Sequence, residues 1–361
     1  MSTAGYGNPF SISFILMKIR YVDYDKSIDG LKFVNRDDKV NVFINFESVL
    51  KNLSLIKDIE NKLLLERDFT TILESEAINL CAHYKKFFRN NGLATRVFLY
   101  YTDLSSEEFD NFKYNDEYRS YYINKYLNNP KYQLLGNKLV DTVLPRVQKI
   151  MEFIPDVHFI SCKGFDSSLV PMIIGESDTS YKNFIITNDK YDTQYLLHPD
   201  KYCTHYIKRS PMGTHIYCTF DKYITSVFKD DNEDNNIFNN TSMYSTLLSA
   251  LGDKHRSIEP LKGIGCKGVL KYINNGINDS IITKDTKSFE MIKKCLPEEY
   301  HENADKNFNC VDLHSQFKEI SQDHIFSVIN QITNRFDYNS LIQLNNEDYK
   351  NFPLMLEELT C

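Results

Sequence analysis

Four short runs, VNVFIN (40–45), TRVFLYYTD (95–103), VHFISC (157–162) and NFIITND (183–189), are rich in β-branched and aromatic residues. Runs of this kind, bounded by polar residues, read as buried strands. The stretches between them carry a different period. Residues 46–89 space Leu, Ile and Phe as a helix does, until Asn90-Asn91-Gly92 stops them. VLPRVQKIMEFI and SSLVPMIIGES (167–177) read as helices too. A strand that reaches the next strand through a helix is not half of a hairpin; a crossover of that length joins parallel neighbours. The order β-α-β-α-β-α-β therefore predicts an α/β fold, with a twisted, mostly parallel sheet flanked by helices.

Beyond the fourth run, KYCTHYIKR and THIYCTF flank Ser210-Pro211-Met212-Gly213 and read as a hairpin. KDDNEDNNIFNNTS (229–242) is a solvated loop and the best internal boundary, and MYSTLLSALG and the C-terminal third read mainly as helices and loops. The expected division is an N-terminal extension (1–39), an α/β core (40–235) and a helical region (236–361). With 361 residues and 42% hydrophobic content the chain has ample core for a globular fold. Its net charge of −7 confines any nucleic-acid surface to a local basic patch. Eight cysteines without a C-x-x-C pair point to reduced thiols in a cytoplasm rather than a disulfide framework. The apolar run near the N-terminus is too short for a signal segment or a membrane span. Abundant Asn, Lys and Ile suggest an AT-rich coding genome, such as that of a phage or virus.

Residues 263–268 read GIGCKG, a formal match to the dinucleotide fingerprint G-x-G-x-x-G. That fingerprint needs a buried strand immediately before it. Arg256-Ser257-Ile258-Glu259-Pro260-Leu261-Lys262 is polar and broken by proline, so the dinucleotide reading fails. Glycines in such a turn let a phosphate approach the backbone, and the helix that follows favours an anion at its N-terminus. Lys262, Lys267 and Lys271 add charge suited to a duplex backbone, without reading bases.

In an open parallel sheet, ligands bind beyond the carboxyl ends of the strands. Those ends carry Asn45, Asp103, the KGFDSS turn with Asp166, and Asp189. Carboxylates gathered there suggest a divalent-metal site for phosphoryl chemistry. An aspartate at a strand end also simply makes turns.

Taken in order, these segments resemble the flap endonuclease and 5′→3′ exonuclease family. GDKHRSIEPLKGIGCKGVLKYI is similar to that family's helix–hairpin–helix string G-D-x-x-D-N-I-P-G-V-x-G-I-G-x-K-T-A, matching at Gly252, Asp253, Ile258, Gly263, Ile264, Gly265 and Lys267. KGFDSSLVPMII resembles the turn G-[FY]-E-A-D-D, with Asp166 at the glutamate. FIITNDKYDTQYL resembles V-x-G-D-K-D-x-x-Q-L at Asp189, Lys190 and Gln194. RVFLYYTD resembles the strand ending in F-D-G, with Asp103 at the aspartate. DEYRSYYINKY, with Arg119 and Lys125, falls where the family has its basic helical gateway. The resemblance implies a PIN-like core followed by a helix–hairpin–helix region. It implies duplex or branched DNA as partner, with replication or recombination proteins beside it. It also implies metal-ligating, catalytic roles for Asp103, Asp166 and Asp189, and a monovalent cation at the hairpin.

The departures bear on activity. The family's first-strand aspartate falls on Asn45, its acidic pair on Ser168 and Leu169, the second aspartate of D-K-D on Tyr191, and that of G-D-x-x-D on Arg256, which brings a cation. Glu47 and Asp192 stand at offsets that direct their side chains elsewhere. The expectation is a DNA-binding protein whose vestigial acidic site holds Mg²⁺ weakly at one position or not at all, with nuclease activity lost or strongly reduced. An active Mg²⁺-dependent 5′→3′ exonuclease, flap endonuclease or RNase H-type primer remover is the enzymatic alternative. A structural docking subunit is the third. Two further clusters weigh less. His198, Cys203, His205, His215 and Cys218 fit no common zinc spacing. Tyr114, Tyr118, Tyr121, Tyr122 and Tyr126 could stack bases but more often pack.

Overall fold

The computed structural model describes residues 38–46, 66–103, 144–151, 154–210, 213–228, 237–238, 240–252 and 258–332. The four apolar runs form β1 (Lys39–Asn45), β2 (Ala94–Asp103), β3 (Val157–Lys163) and β4 (Tyr181–Thr187). Helices α1 (Glu66–Asn90), α2 (Leu144–Met151) and α3 (Val170–Ser177) lie between them in the chain. Asn91 and Gly92 end α1, and Gly92 takes a φ of 79° while its N–H closes on Arg89 O at 2.8 Å. That is the left-handed stop glycine accepts at little cost.

The sheet order is β3-β2-β1-β4-β5-β6. Every neighbouring pair from β3 to β5 is parallel, and β5 (Tyr202–Ser210) turns back on β6 (Gly213–Tyr217) antiparallel. The sequence-derived hairpin and mostly parallel sheet are thus both present.

Alternate strand residues face opposite layers, as the pleat requires. Val40, Val42, Ile44, Val97, Leu99, Phe184 and Ile186 pack with Ala77, Ile78, Cys81, Tyr84 and Phe88 of α1 and with α2. Phe43, Phe98, Tyr100, Ile160 and Ile185 face the other layer, against α3, Leu313 and Val328. Continuous burial of the central strands follows, because both faces are covered.

The C-terminal helices are α4 (Phe220–Phe228), α5 (Thr241–Leu251), α6 (Cys266–Asn278), α7 (Phe289–Lys293), α8 (His301–Val311), α9 (Leu313–Glu319) and α10 (Gln322–Asn330). A third apolar cluster joins Tyr191 and Leu196 to α4, α5, α6 and α8, so the region after β4 and the helical region share one core. Gln194 fastens them: Nε2 donates to Val311 O at 2.7 Å, and Oε1 accepts from Leu313 N and Ser245 Oγ, each at 3.2 Å. At the outer edge of the sheet Gln331 Oε1 accepts from Ser161 N at 2.9 Å, and its Nε2 donates to Ser161 O at 3.1 Å.

Candidate functional site

Parallel order places the carboxyl ends of β1, β2, β3 and β4 along one edge, and β1 lies between β2 and β4. Asn45 pairs with Tyr100 in register, and Asp103 pairs with Lys163 three residues further along β2. For Asp103 the description extends to the backbone alone. Asp166 follows β3 in the KGFDSS turn. Gly164 enters that turn at a φ of 77°, and Asp166 Oδ1 accepts from Ser168 N at 2.9 Å. Asp189 follows β4; its N–H donates to Thr187 Oγ1 at 2.9 Å, and its Oδ1 accepts from Tyr191 N at 3.0 Å. Both carboxylates therefore make turns, and both are also buried within electrostatic reach of one another's neighbours.

Asp192 corrects the sequence reading. A 3-10 turn begins there, and the side chain comes back to the end of β4 rather than away from it. Its Oδ2 accepts from Thr187 Oγ1 at 2.6 Å. Burial, and then the negative charges of Asp189 and Asp166, push its carboxyl up to about 7. Tyr191, the position aligned with the family aspartate, instead enters the third apolar cluster. Two aspartates three residues apart across a strand-to-turn junction were the available signal.

Tyr100 is the other residue missed. It is wholly buried, and Asp192, Asp189 and Asp166 all help raise its phenol well above the ordinary tyrosine value, after burial itself. Three buried polar atoms meet here without a hydrogen-bond partner: Tyr100 Oη, Ser168 Oγ and Asp192 Oδ1. Ser168 lies close enough to favour the Asp192 anion without closing a well-formed bond. Such atoms call for an occupant or a proton. Yet among the described residues no three His, Cys, Asp or Glu side chains form a group that could hold a metal ion.

The glycine turn stands at the other side of Lys190, whose Nζ donates to Gly252 O at 2.7 Å. Among the described residues no strand runs directly into GIGCKG; a turn at Lys262 and Gly263 leads to Gly265, which caps α6 without a side-chain bond. Cβ atoms built at Gly263 and Gly265 would meet nothing within 4 Å. Lys262, Lys267 and Lys271 are all exposed, and the last two share a face of α6 at four-residue spacing. Arg119, Lys125, Asp253, Arg256, Glu47 and the five spaced tyrosines lie outside the described residues.

Of the zinc candidates, Cys203 Sγ and His205 Nε2 stand 3.8 Å apart on one face of β5. Burial pushes that thiol up to about 12 and the imidazole down to about 4. His198 sits apart, 3.4 Å from Thr241 Oγ1 of α5. The described cysteines are all thiols rather than disulfides. No described helix is long and apolar enough to cross a membrane.

A six-stranded, mostly parallel sheet with two helical layers and an acidic strand-end edge defines a PIN-like fold of the flap endonuclease and 5′-exonuclease type. The T5 5′-exonuclease with zinc bound superposes with a TM-score of 0.51 at 14% identity, over 81% of this chain and 98% of that one. A T5 protein co-crystallised with metal ions gives 0.48 at 14% identity, over 81% and 100%. A bacteriophage T5 flap endonuclease complex with DNA and metal ions gives 0.44 at 13%, over 89% and 100%. No family model and no curated protein matches the chain.

Proposed function

We propose that the chain is a 5′-nuclease-fold protein that grips duplex or branched DNA in phage or viral replication or recombination, with metal-dependent cleavage lost or strongly reduced. The observation that carries this reading is the open, lysine-flanked glycine turn that leads into α6. The segment from α5 through the turn to α6 is read as a helix–hairpin–helix. Its glycines admit a phosphate, and Lys262, Lys267 and Lys271 supply charge. Asp103, Asp166 and Asp189 are the residues of the former metal site; Arg119, Lys125 and Arg256 are further DNA contacts on this reading. Weak Mg²⁺ occupancy at one position and a monovalent cation at the hairpin are compatible with it.

The test is single-turnover cleavage of a labelled 5′-flap with Mg²⁺ and with Mn²⁺, beside duplex binding over a salt series. Cleavage is expected to be absent or very slow, and log affinity to fall with log salt by about 0.9 per phosphate neutralised. Lys267→Glu is expected to weaken all duplexes alike and to flatten that slope. Ordinary enzymatic turnover abolished by Asp189→Ala would establish the active-nuclease alternative, which Asp192 favours by restoring a carboxylate beside Asp189. Failure to bind duplex at low salt would remove DNA and leave the docking-subunit reading.

A further inference from the structure

Leu261 to Ile264 form a β-turn. Ile264 N–H closes on Leu261 O at 3.1 Å, and Gly263, the third of the four residues, has a φ of 78°. Lys262 before it keeps a negative φ. That combination is a type II turn, which differs from type I by a flip of the central peptide, here the one joining Lys262 to Gly263. The flip decides where that peptide's carbonyl and N–H point, and in a planar trans peptide the two point in opposite directions. Glycine accepts either form, so its presence alone selects neither.

Tyr300 makes the selection. It ends the 3-10 turn Glu298–Tyr300 ahead of α8, and its ring packs on the third apolar cluster. From there its hydroxyl donates to Lys262 O at 2.9 Å. The carbonyl of the central peptide is thereby held towards Tyr300, and the Gly263 N–H is turned away from it. The approach to the turn is fixed from the same segment. Asn307 of α8 is buried, and its Nδ2 donates to Ser249 O at 2.8 Å and to Glu259 O at 2.7 Å.

We infer that Tyr300 is a positioning residue for DNA: its hydroxyl locks the Lys262–Gly263 peptide in the flip that offers the Gly263 N–H to a phosphate. The inference rests on the DNA-binding reading above and deepens it. A backbone N–H grips a phosphate without adding a counter-charge, so Tyr300 sets affinity and leaves the salt dependence to the lysines. The competing role gives the hydroxyl proton to the neighbouring Glu299 carboxylate, which leaves the peptide free to take either flip.

The experiment compares wild type, Tyr300→Phe and Lys267→Glu by anisotropy of a labelled duplex over a salt series, with thermal unfolding followed for each. Tyr300→Phe keeps the packed ring and removes only the hydroxyl. Its affinity is expected to be about fivefold weaker at every salt concentration, the equivalent of one ordinary hydrogen bond, with the wild-type slope retained. In protein made with nitrogen-labelled glycine, the Gly263 amide resonance is assigned by its loss in Gly263→Ala. It should shift on duplex addition in the wild type and shift less in Tyr300→Phe. Wild-type affinity in Tyr300→Phe beside a weakened Lys267→Glu would overturn the inference while leaving DNA binding intact. A slope flattened in Tyr300→Phe as in Lys267→Glu would overturn it too, because the hydroxyl would then be placing lysines rather than a peptide. An unmoved Gly263 resonance in duplex-bound wild type would have the same effect. Failure of the wild type to bind duplex at low salt would remove the DNA reading itself.

Discussion

Burial leaves Asp192 poorly placed to carry a negative charge. Its carboxyl rises to about 7, first through desolvation and then through Asp189, while the Thr187 hydroxyl opposes the shift. In the unfolded chain the same group titrates near the ordinary value of about 4. A folded-state value above the unfolded one makes a contribution that is complete below about pH 4 and is lost as pH rises through about 7. Asp192→Asn should therefore leave stability near pH 4 almost unchanged. Near pH 8 it should raise unfolding free energy by on the order of 2 kcal/mol. Urea denaturation at the two pH values checks this, and an equal gain at both would mean that Asp192 does not titrate in this range. Asp192 was hidden in the sequence because a strand's two-residue alternation, carried past Thr187, directs it away. The chain leaves extended geometry after Thr187, so that alternation no longer applies at Asp192, where a 3-10 turn begins.

Among the elements, the link from α5 to α6 separates glycines that look alike in the sequence. Gly252 has a φ of 59°, and a Cβ there would stand 2.5 Å from both Ile258 O and Pro260 N. Gly263 also has a positive φ, 78°, but open space around it, and Gly265 has open space with φ at −101°. One glycine permits a close backbone crossing; two leave room for something outside the chain. Gly252→Ala should lower stability by about 2–4 kcal/mol, combining left-handed strain with a backbone collision. Gly265→Ala should cost less than about 1 kcal/mol. Denaturant midpoints of the two variants decide this, and equal losses would contradict the distinction. The helix after the turn was legible from the glycine pattern, and Pro260 argued against a dinucleotide-binding strand running into it. The division of labour was not legible, because it depends on how residues 258–260 fold over Gly252.

Across the whole molecule, the alternation of apolar runs with helical spacing was enough to specify the parallel sheet. Each of the four runs is a strand, and each crossover carries a helix among the described residues. What pattern could not supply was the depth of side chains within a layer. His158 is an example. It reads as a polar member of VHFISC, but it stacks on Phe98 with centroids 5.0 Å apart, and burial, aided by Arg96, pushes it down to about 4. Burial does the same to His205. A folded-state value below the unfolded one, about 6.5, gives stability that is present above pH 6.5 and lost as pH falls through about 4. His158→Phe should keep the stack and remove the titration. Its unfolding free energy relative to wild type should therefore rise by on the order of 2 kcal/mol between pH 7 and pH 4, which equilibrium denaturation across that range would detect. The Gln331 amide has a consequence at the same scale. Its two bonds reproduce, at Ser161, the donor and acceptor that another strand would offer to an exposed sheet margin. With that margin occupied from within, β3 is a poor template for a second copy of the chain. Shortening the side chain in Gln331→Ala would uncover one peptide unit of the template, and concentration-dependent self-association, seen by sedimentation, is the expected result.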